Sequence, residues 1–298
     1  MTLQSVSVII PSFNHAEFIE NAIISVLNQA SNELDVQLIV VDDQSHDNTR
    51  ELIVNLKKEH DFEFYENAKN VGVNQTIENG LQYINGEYVA FLASDDFLLQ
   101  NSLKKQINYI NEKEVDVVYG KGIICDDEGT SLGEQNLLEF DKALSKDQKS
   151  ALNLVAVDDT CGPLMQSALF KRDLALELCA IRREFKSDDW IVLLYLLKRH
   201  KVGFLNDFVF GYRLHENNNH KDFWLMFLYR MEVIVKYVRI IDEGLMSKAI
   251  SNLFVSQGMA LYRNGRKKIA LSFILSSFVF SFPYRKIKIF FGRLLGGR

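Results

Sequence analysis

The chain has 298 residues, 47% hydrophobic and 24% charged, a balance that excludes disorder and collagen-like order and allows one large α/β domain with a smaller appendage. The net charge of −5 conceals an asymmetry, because residues 1–243 hold 24 basic against 39 acidic residues and no Asp or Glu follows Glu243. An acidic body with a basic tail suggests two jobs in two regions and argues against nucleic acid as a partner.

The first segment, "MTLQSVSVIIPSF", has no basic residue and its apolar run is cut at Pro11, so it fits neither a signal peptide nor a membrane span. Cys125, Cys161 and Cys179 are odd in number and lack CxxC or His-paired spacing. They read as free thiols of a reducing compartment, which places the chain in the cytoplasm.

Apolar, β-branched runs at 6–13, 36–43, 62–67, 87–94 and 115–124 read as strands. Between the first four lie segments of helical period, such as Phe18, Ala22 and Val26 beside Ile19, Ile23 and Leu27. Strands joined by crossover helices predict a mainly parallel, doubly wound sheet. In such a sheet ligands bind beyond the carboxyl ends of the strands, where this chain carries "PSFN", "DDQSHDNT" and "SDD". That set is polar and acidic, suited to a nucleotide plus metal. A dinucleotide or P-loop site is excluded, since neither GxGxxG nor GxxxxGK[ST] is present.

The stretch "YVAFLASDDFLL" is the most pointed of these. A buried run ends abruptly in Ser94, Asp95 and Asp96, so a rigid strand end holds acidic side chains at fixed separation, as a divalent cation requires. Beyond about residue 125 the pattern is less regular: a polar connection through Lys149, then "LMQSALFKRDLALEL", "FKSDDWIVLLYLLKRH" and the strand-like "KVGFLNDFVFGYRLHENNNH". From Asp222 onward the chain reads helical. The predicted division is a catalytic domain over 1–220, with a nucleotide-binding half to about 125 and an acceptor half from 126, followed by a helical extension over 221–298.

Six segments, "VSVIIPSFNHAEFIENAIISVLNQ", "VVDDQSHDNT", "NVGVNQTIENGL", "GEYVAFLASDDFL", "DDWIVLLYLLKRH" and "YRLHENN", together resemble family 2 of the glycosyltransferases, in that family's order, over roughly residues 5–220. The resemblance implies a GT-A fold, a mixed sheet flanked by helices, and inverting transfer from a nucleotide-diphosphate sugar, with UDP the expected nucleotide. By the same resemblance Pro11, Ser12 and Phe13 lie along the base and ribose, Asp42 accepts a hydrogen bond from the base, and Asp43 braces the turn. Asp47 and Asn48 fall to capping the next helix. Asn70 and Gly72 match the next donor loop; the family's Arg-containing version of that loop has an Arg where this chain has Ile77.

The resemblance aligns the acidic pair with the DxD motif, whose first carboxylate is replaced by Ala93. Asp95 is then the ligand of Mg²⁺ or Mn²⁺, Asp96 an auxiliary, His215 its distant partner and Arg213 a phosphate contact. "SDDW" stands where the family has its catalytic carboxylate, giving Asp189 as general base and Asp188 as its neighbour, although both would also serve as caps of the following helix. Trp190 is read as core rather than as a sugar-stacking ring.

The tail carries an apolar block, Ile269 to Phe282, between Arg and Lys flanks. Fourteen residues cannot span a bilayer, which takes about 20, but suit an interface with anionic headgroups; the competing reading is a helix packed on the domain with a solvated basic face. A membrane-surface role would place the enzyme peripherally on the cytoplasmic face, acting on a glycan or lipid-linked oligosaccharide acceptor in polysaccharide or lipopolysaccharide synthesis. Two other classes stay open at this point, a sugar nucleotidyltransferase and a non-catalytic nucleotide-sugar binder, the latter favoured by Ala93. Oligomeric state has no signature in the sequence.

Overall fold

The computed structural model describes residues 3–184, 189–215, 223–238 and 242–281. Strands β1 (Gln4–Ser12), β2 (Leu34–Asp42), β3 (Glu63–Glu66) and β4 (Tyr88–Phe91) alternate with helices α1 (Ile19–Leu27), α2 (Thr49–Glu59) and α3 (Val73–Leu81). They form a parallel half-sheet in the order β3-β2-β1-β4. Its strands are near-continuous apolar runs because helices cover both faces, and the period of two divides their side chains cleanly. Ile9, Ile39, Val41, Val89 and Phe91 enter one core. Val8, Ile10, Leu38, Val40 and Ala90 enter the other, against Ile19, Ile23 and Ile53.

The second half departs from the mainly parallel pattern read from the strand spacing and follows the mixed sheet that the family resemblance implies. Short β5 (Phe97–Leu98) and α4 (Ser102–Lys113) lead to β6 (Val117–Cys125) and β7 (Ser131–Glu134). The segment read as a polar connection holds β7 and two helices, α5 (Leu138–Lys146) and α6 (Gln148–Val157). Then follow β8 (Ala168–Lys171), α7 (Arg172–Glu184), α8 (Asp189–Arg199) and β9 (Val202–Arg213). β8 inserts antiparallel between β4 and β6, β9 runs parallel to β6, and β5 pairs antiparallel with β9. The sheet is therefore mixed, in the order β3-β2-β1-β4-β8-β6-β9-β5 with β7 on β6.

After residue 222 come α9 (Phe223–Val233), a π-helical turn (Ile234–Val238), α10 (Glu243–Arg263) and α11 (Lys267–Phe280). Val233, Ile234, Leu245, Ala249, Ile250 and Leu253 are buried in the same core as Trp190 and Leu194 of α8, so the extension packs on the domain. The apolar block beginning at Ile269 forms α11, whose Ala270, Ile274 and Ser277 are buried. On its outward side α11 exposes Leu271, Leu275, Phe278 and Val279, with Lys267 and Lys268 exposed at its start. No helix among the described residues is long and apolar enough to cross a membrane.

Candidate active site

The pairings Ser12↔Asp42, Asp42↔Glu66 and Ile9↔Phe91 bring the carboxyl ends of four parallel strands to one edge. Every loop singled out in the first half of the chain leaves from that edge. The β1–α1 and β2–α2 loops are laced together: Asn14 N–H donates to Ser45 Oγ at 2.9 Å, and His46 N–H donates to Asn14 Oδ1 at 2.7 Å. Asn14 adopts φ 54°, the left-handed region that Asn tolerates best after Gly. Ser12 Oγ is buried without a hydrogen-bond partner among the described residues, an orphan polar group of the kind a ligand satisfies. Phe13 is exposed, its ring 6.1 Å from that of His46, and Pro11 is half-buried at the strand end.

Asp42 is buried and accepts from Ser45, from the hydroxyl at 2.6 Å and from the N–H at 2.8 Å. Asp43 takes the N–H groups of Val71 and Gly72 and the side-chain amide of Asn67, each at 2.8 Å. It thereby clamps the loop carrying Asn70 and Gly72 against the end of β2. Gly72 has φ 86° at the start of α3, where a side chain would be strained. Ile77 is buried in the core. Of the two expected caps of α2, Asp47 accepts from Thr49 N–H, while Asn48 makes no side-chain cap bond. Partial desolvation of the exposed Asp47 opposes its ionisation, but bonds from the Thr49 hydroxyl and the Thr49 and Ala16 N–H groups hold its carboxyl below the ordinary value.

β4 ends at Phe91, and Asp95 and Asp96 occupy the turn before β5 rather than the strand itself. The pairing Phe97↔Gly211 then carries the end of β9 to this turn. Arg213 N–H donates to Asp96 Oδ1 at 3.0 Å, and the Arg213 guanidinium donates to the Asp95 carbonyl at 2.7 Å and to Asn21 Oδ1 at 2.8 Å. Arg213 is buried, its guanidinium 4.7 Å from the Phe97 ring centre. His215 Nε2 lies 2.9 Å from Asp95 Oδ2, a contact across 120 residues of sequence. Asp96 is sealed at 1% exposure, and burial, then the neighbouring Asp95 charge, pushes its carboxyl well above the usual carboxylate range.

A residue that sequence reasoning did not single out completes the cluster. His15, on the β1–α1 loop, places its Nδ1 2.7 Å from Ser94 Oγ, and its ring centre is 5.6 Å from that of His215. One ligand atom each of His15, Asp95 and His215 lie within 4.8 Å of one another. Ligands about 2.1 Å from an octahedral cation sit about 3–4 Å apart, so the set fits a divalent ion after small side-chain movements. Burial lowers the His15 pKa, the Asp95 charge opposing and His215 reinforcing that fall; a neutral imidazole is the ligating form. Its sequence signal was the histidine directly after "PSFN", which has meaning only once the loop is known to face Asp95.

Asp189 opens α8. Its charge, with those of Asp96 and Asp95, reaches the Tyr212 hydroxyl, whose pKa is pushed up to about 12 by burial first and these carboxylates second. Asp189 thus belongs to the same electrostatic neighbourhood as the Asp95 turn. Asp188 lies outside the described residues, as do residues 282–298 of the basic tail, including Arg285, Lys286 and Lys288. Trp190 is core: it is buried and its indole N–H donates to the Val155 carbonyl at 2.8 Å.

The family model described as "Glycosyl transferase family 2" matches residues 7–174. Staphylococcus aureus poly(ribitol-phosphate) beta-N-acetylglucosaminyltransferase TarP is 40% identical over 120 residues, 40% of this chain and 37% of that protein. A Campylobacter jejuni GalNAc(5)-diNAcBac-PP-undecaprenol beta-1,3-glucosyltransferase is 39% identical over 113 residues, 37% of this chain and 36% of that protein. The chain thus matches little more than a third of the length of these two relatives. Among solved structures, S. aureus TarS 1–349 with UDP-GlcNAc superposes with a TM-score of 0.63 at 17% identity, over 92% of this chain and 81% of that one. The mannosyltransferase PcManGT of Pyrobaculum calidifontis, with GDP-Man and Mn²⁺, gives 0.60 at 16% identity, over 97% and 79%. The fold is GT-A.

Proposed function

The chain belongs to glycosyl transferase family 2, and from that premise we propose that it is an inverting, divalent-metal-dependent glycosyltransferase. It moves a sugar from a UDP-sugar to a hydroxyl of a lipid-linked glycan in bacterial surface-polysaccharide synthesis. The observation that carries the reading is the convergence of His15, Asp95 and His215 at the edge where the loops of β1, β2 and β4 emerge. A bound cation would be held there and would neutralise charge developing on the departing diphosphate. Asp42, Pro11, Ser12, Phe13, Asn70 and Gly72 form the nucleoside side of the site. The orphaned Ser12 hydroxyl supports this, and Asp43 keeps the loop of Asn70 and Gly72 in place. Arg213 carries its positive charge beside the Asp95 turn, where it favours a diphosphate and fixes the Asp95 backbone.

Asp189 takes the proton of the acceptor hydroxyl as that oxygen attacks the anomeric carbon from the side opposite the diphosphate; Asp188 is its sequence neighbour. Asp96, buried and protonation-prone, contributes to the turn and assists the metal site only indirectly. The names of the relatives support the donor and acceptor classes: one is named for N-acetylglucosaminyl transfer, another for an undecaprenol-diphosphate-linked glycan. Placement at the cytoplasmic face of the membrane follows from such an acceptor and from the basic, apolar tail. The nucleotidyltransferase reading is not favoured, because the family match runs through all the donor loops.

The test is a thermal-shift panel of nucleotide-sugars with and without Mn²⁺, followed by product analysis with the stabilising donor. A UDP-sugar raises the melting temperature in the presence of metal, transfer releases nucleoside diphosphate, and Asp189→Asn lowers the rate about 10²–10⁴-fold while donor binding persists. Release of pyrophosphate, or no shift with any donor, overturns the reading.

A further inference from the structure

We propose that His15 is a third protein ligand of the cation, beside Asp95 and His215, and that the pair of imidazoles selects a transition-metal ion over Mg²⁺. This rests on the metal-dependent reading above and specifies its ligand set. The turn preceding β5 offers one carboxylate at the right place, since position 93 is Ala and Asp96 is sealed away with its Oδ1 on Arg213 N–H. A cation held by Asp95 and His215 alone would depend on the donor phosphates and water for four of six positions. The β1–α1 loop brings His15 into the remaining gap, within 4.8 Å of both other donors.

The surroundings hold His15 as a ligand is held. Ser94, 2% exposed, engages Nδ1, which fixes the ring and leaves Nε2 for the metal, the usual orientation of a ligating histidine by a second hydrogen bond. Phe18, itself buried, lies with its ring centre 6.1 Å from that of His15 and 4.7 Å from that of His215, so one ring backs both imidazoles. The backbone is pinned as well: His15 N–H donates to Thr49 Oγ1 at 2.9 Å. Chemistry then sets the preference. Mg²⁺ demands hard oxygen ligands and keeps its water, whereas two imidazoles and a carboxylate suit first-row transition ions, with affinity rising from Mn²⁺ to Co²⁺ and Ni²⁺.

The decisive measurement is pulsed EPR of Mn²⁺ bound to the full chain in the presence of UDP, counting directly bound nitrogens, with Mg²⁺ competition giving the affinity ratio. The parent shows two ¹⁴N couplings. His15→Asn and His215→Asn each show one, and His15→Asn lowers the Mn²⁺ over Mg²⁺ preference about tenfold or more. Ser94→Ala, which leaves the imidazole in place, keeps two couplings with weaker Mn²⁺ binding and guards against a folding defect at position 15. A single nitrogen in the parent, lost in His215→Asn and retained in His15→Asn, overturns the role of His15 and leaves the metal-dependent transferase standing. No Mn²⁺ bound with UDP present overturns both.

Discussion

Two adjacent carboxylates, Asp42 and Asp43, leave the end of one strand and divide the work by direction. Asp43, just past the last strand residue, accepts from Val71 and Gly72 and ties down a loop, while Asp42 accepts from Ser45. In the sequence this division was available only through the family resemblance, since β2 ends at Asp42 and strand periodicity says nothing of Asp43. The cluster of His15, Asp95 and His215 was legible only in part: Asp95 and His215 stand in family motifs, but His15 becomes a candidate through a contact made across 79 residues to Ser94, and no local pattern encodes that distance. Asp47 offers a test at this scale. Its folded-state pKa lies below the ordinary 3.8, so its bonds to Thr49 and Ala16 contribute stability above that value, lost as pH falls through the folded pKa. In Asp47→Asn the amide oxygen still accepts from the backbone but no longer titrates. Melting temperature measured from pH 6 to 2.5 should therefore fall less steeply below about pH 4 in the variant. The difference is small because the carboxylate is exposed, and equal slopes would refute the assignment.

Among elements, the strands that the sequence did not reveal are short and antiparallel, and the helices α5 and α6 were hidden in a segment of polar composition. β8 has four residues and β5 two, below the length at which alternation or propensity speaks, yet β8 makes the sheet mixed and β5 delivers Arg213 and His215 to the Asp95 turn. Their pairing partners lie far along the chain, so tertiary contact rather than local preference forms them. Helices of clear apolar period, such as α1, were legible, but not the points where helices cross. α10 and α11 meet at Gly258, where an added Cβ would stand 2.7 Å from Ile274 Cγ1 and 2.9 Å from the Ala270 carbonyl. The second contact is with backbone and cannot be relieved by a rotamer change. Gly258→Val should therefore cost about 1–3 kcal/mol and loosen α11, seen as a lower melting temperature and faster proteolysis within 264–281. Donor binding, proposed at the carboxyl ends of β1, β2 and β4, should be retained. An unchanged melt would mean that the two helices do not cross as described.

At the scale of the whole molecule, a −15 body over residues 1–243 is followed by a basic tail that contains α11. The helix buries one stripe against the domain and turns a neighbouring one, Leu271, Leu275, Phe278 and Val279, outward, with Val279 81% exposed. Arg263, Arg266, Lys267 and Lys268 stand exposed at its start. At 1.5 Å per residue its 14 residues reach about 21 Å, short of the 30 Å hydrocarbon layer, so the geometry suits lying on a bilayer rather than crossing it. Each basic residue near an anionic surface adds about 1 kcal/mol, and the attraction falls with salt. The full chain should therefore float with vesicles containing phosphatidylglycerol at low salt and much less with neutral ones. A triple change of Leu271, Leu275 and Val279 to Ser should cut the floated fraction several-fold without lowering the melting temperature, because these side chains contribute little to the packed core. Recovery of the parent chain entirely in the soluble fraction, together with equal transfer to free and lipid-linked acceptors, would show that the exposed stripe serves something other than a membrane surface.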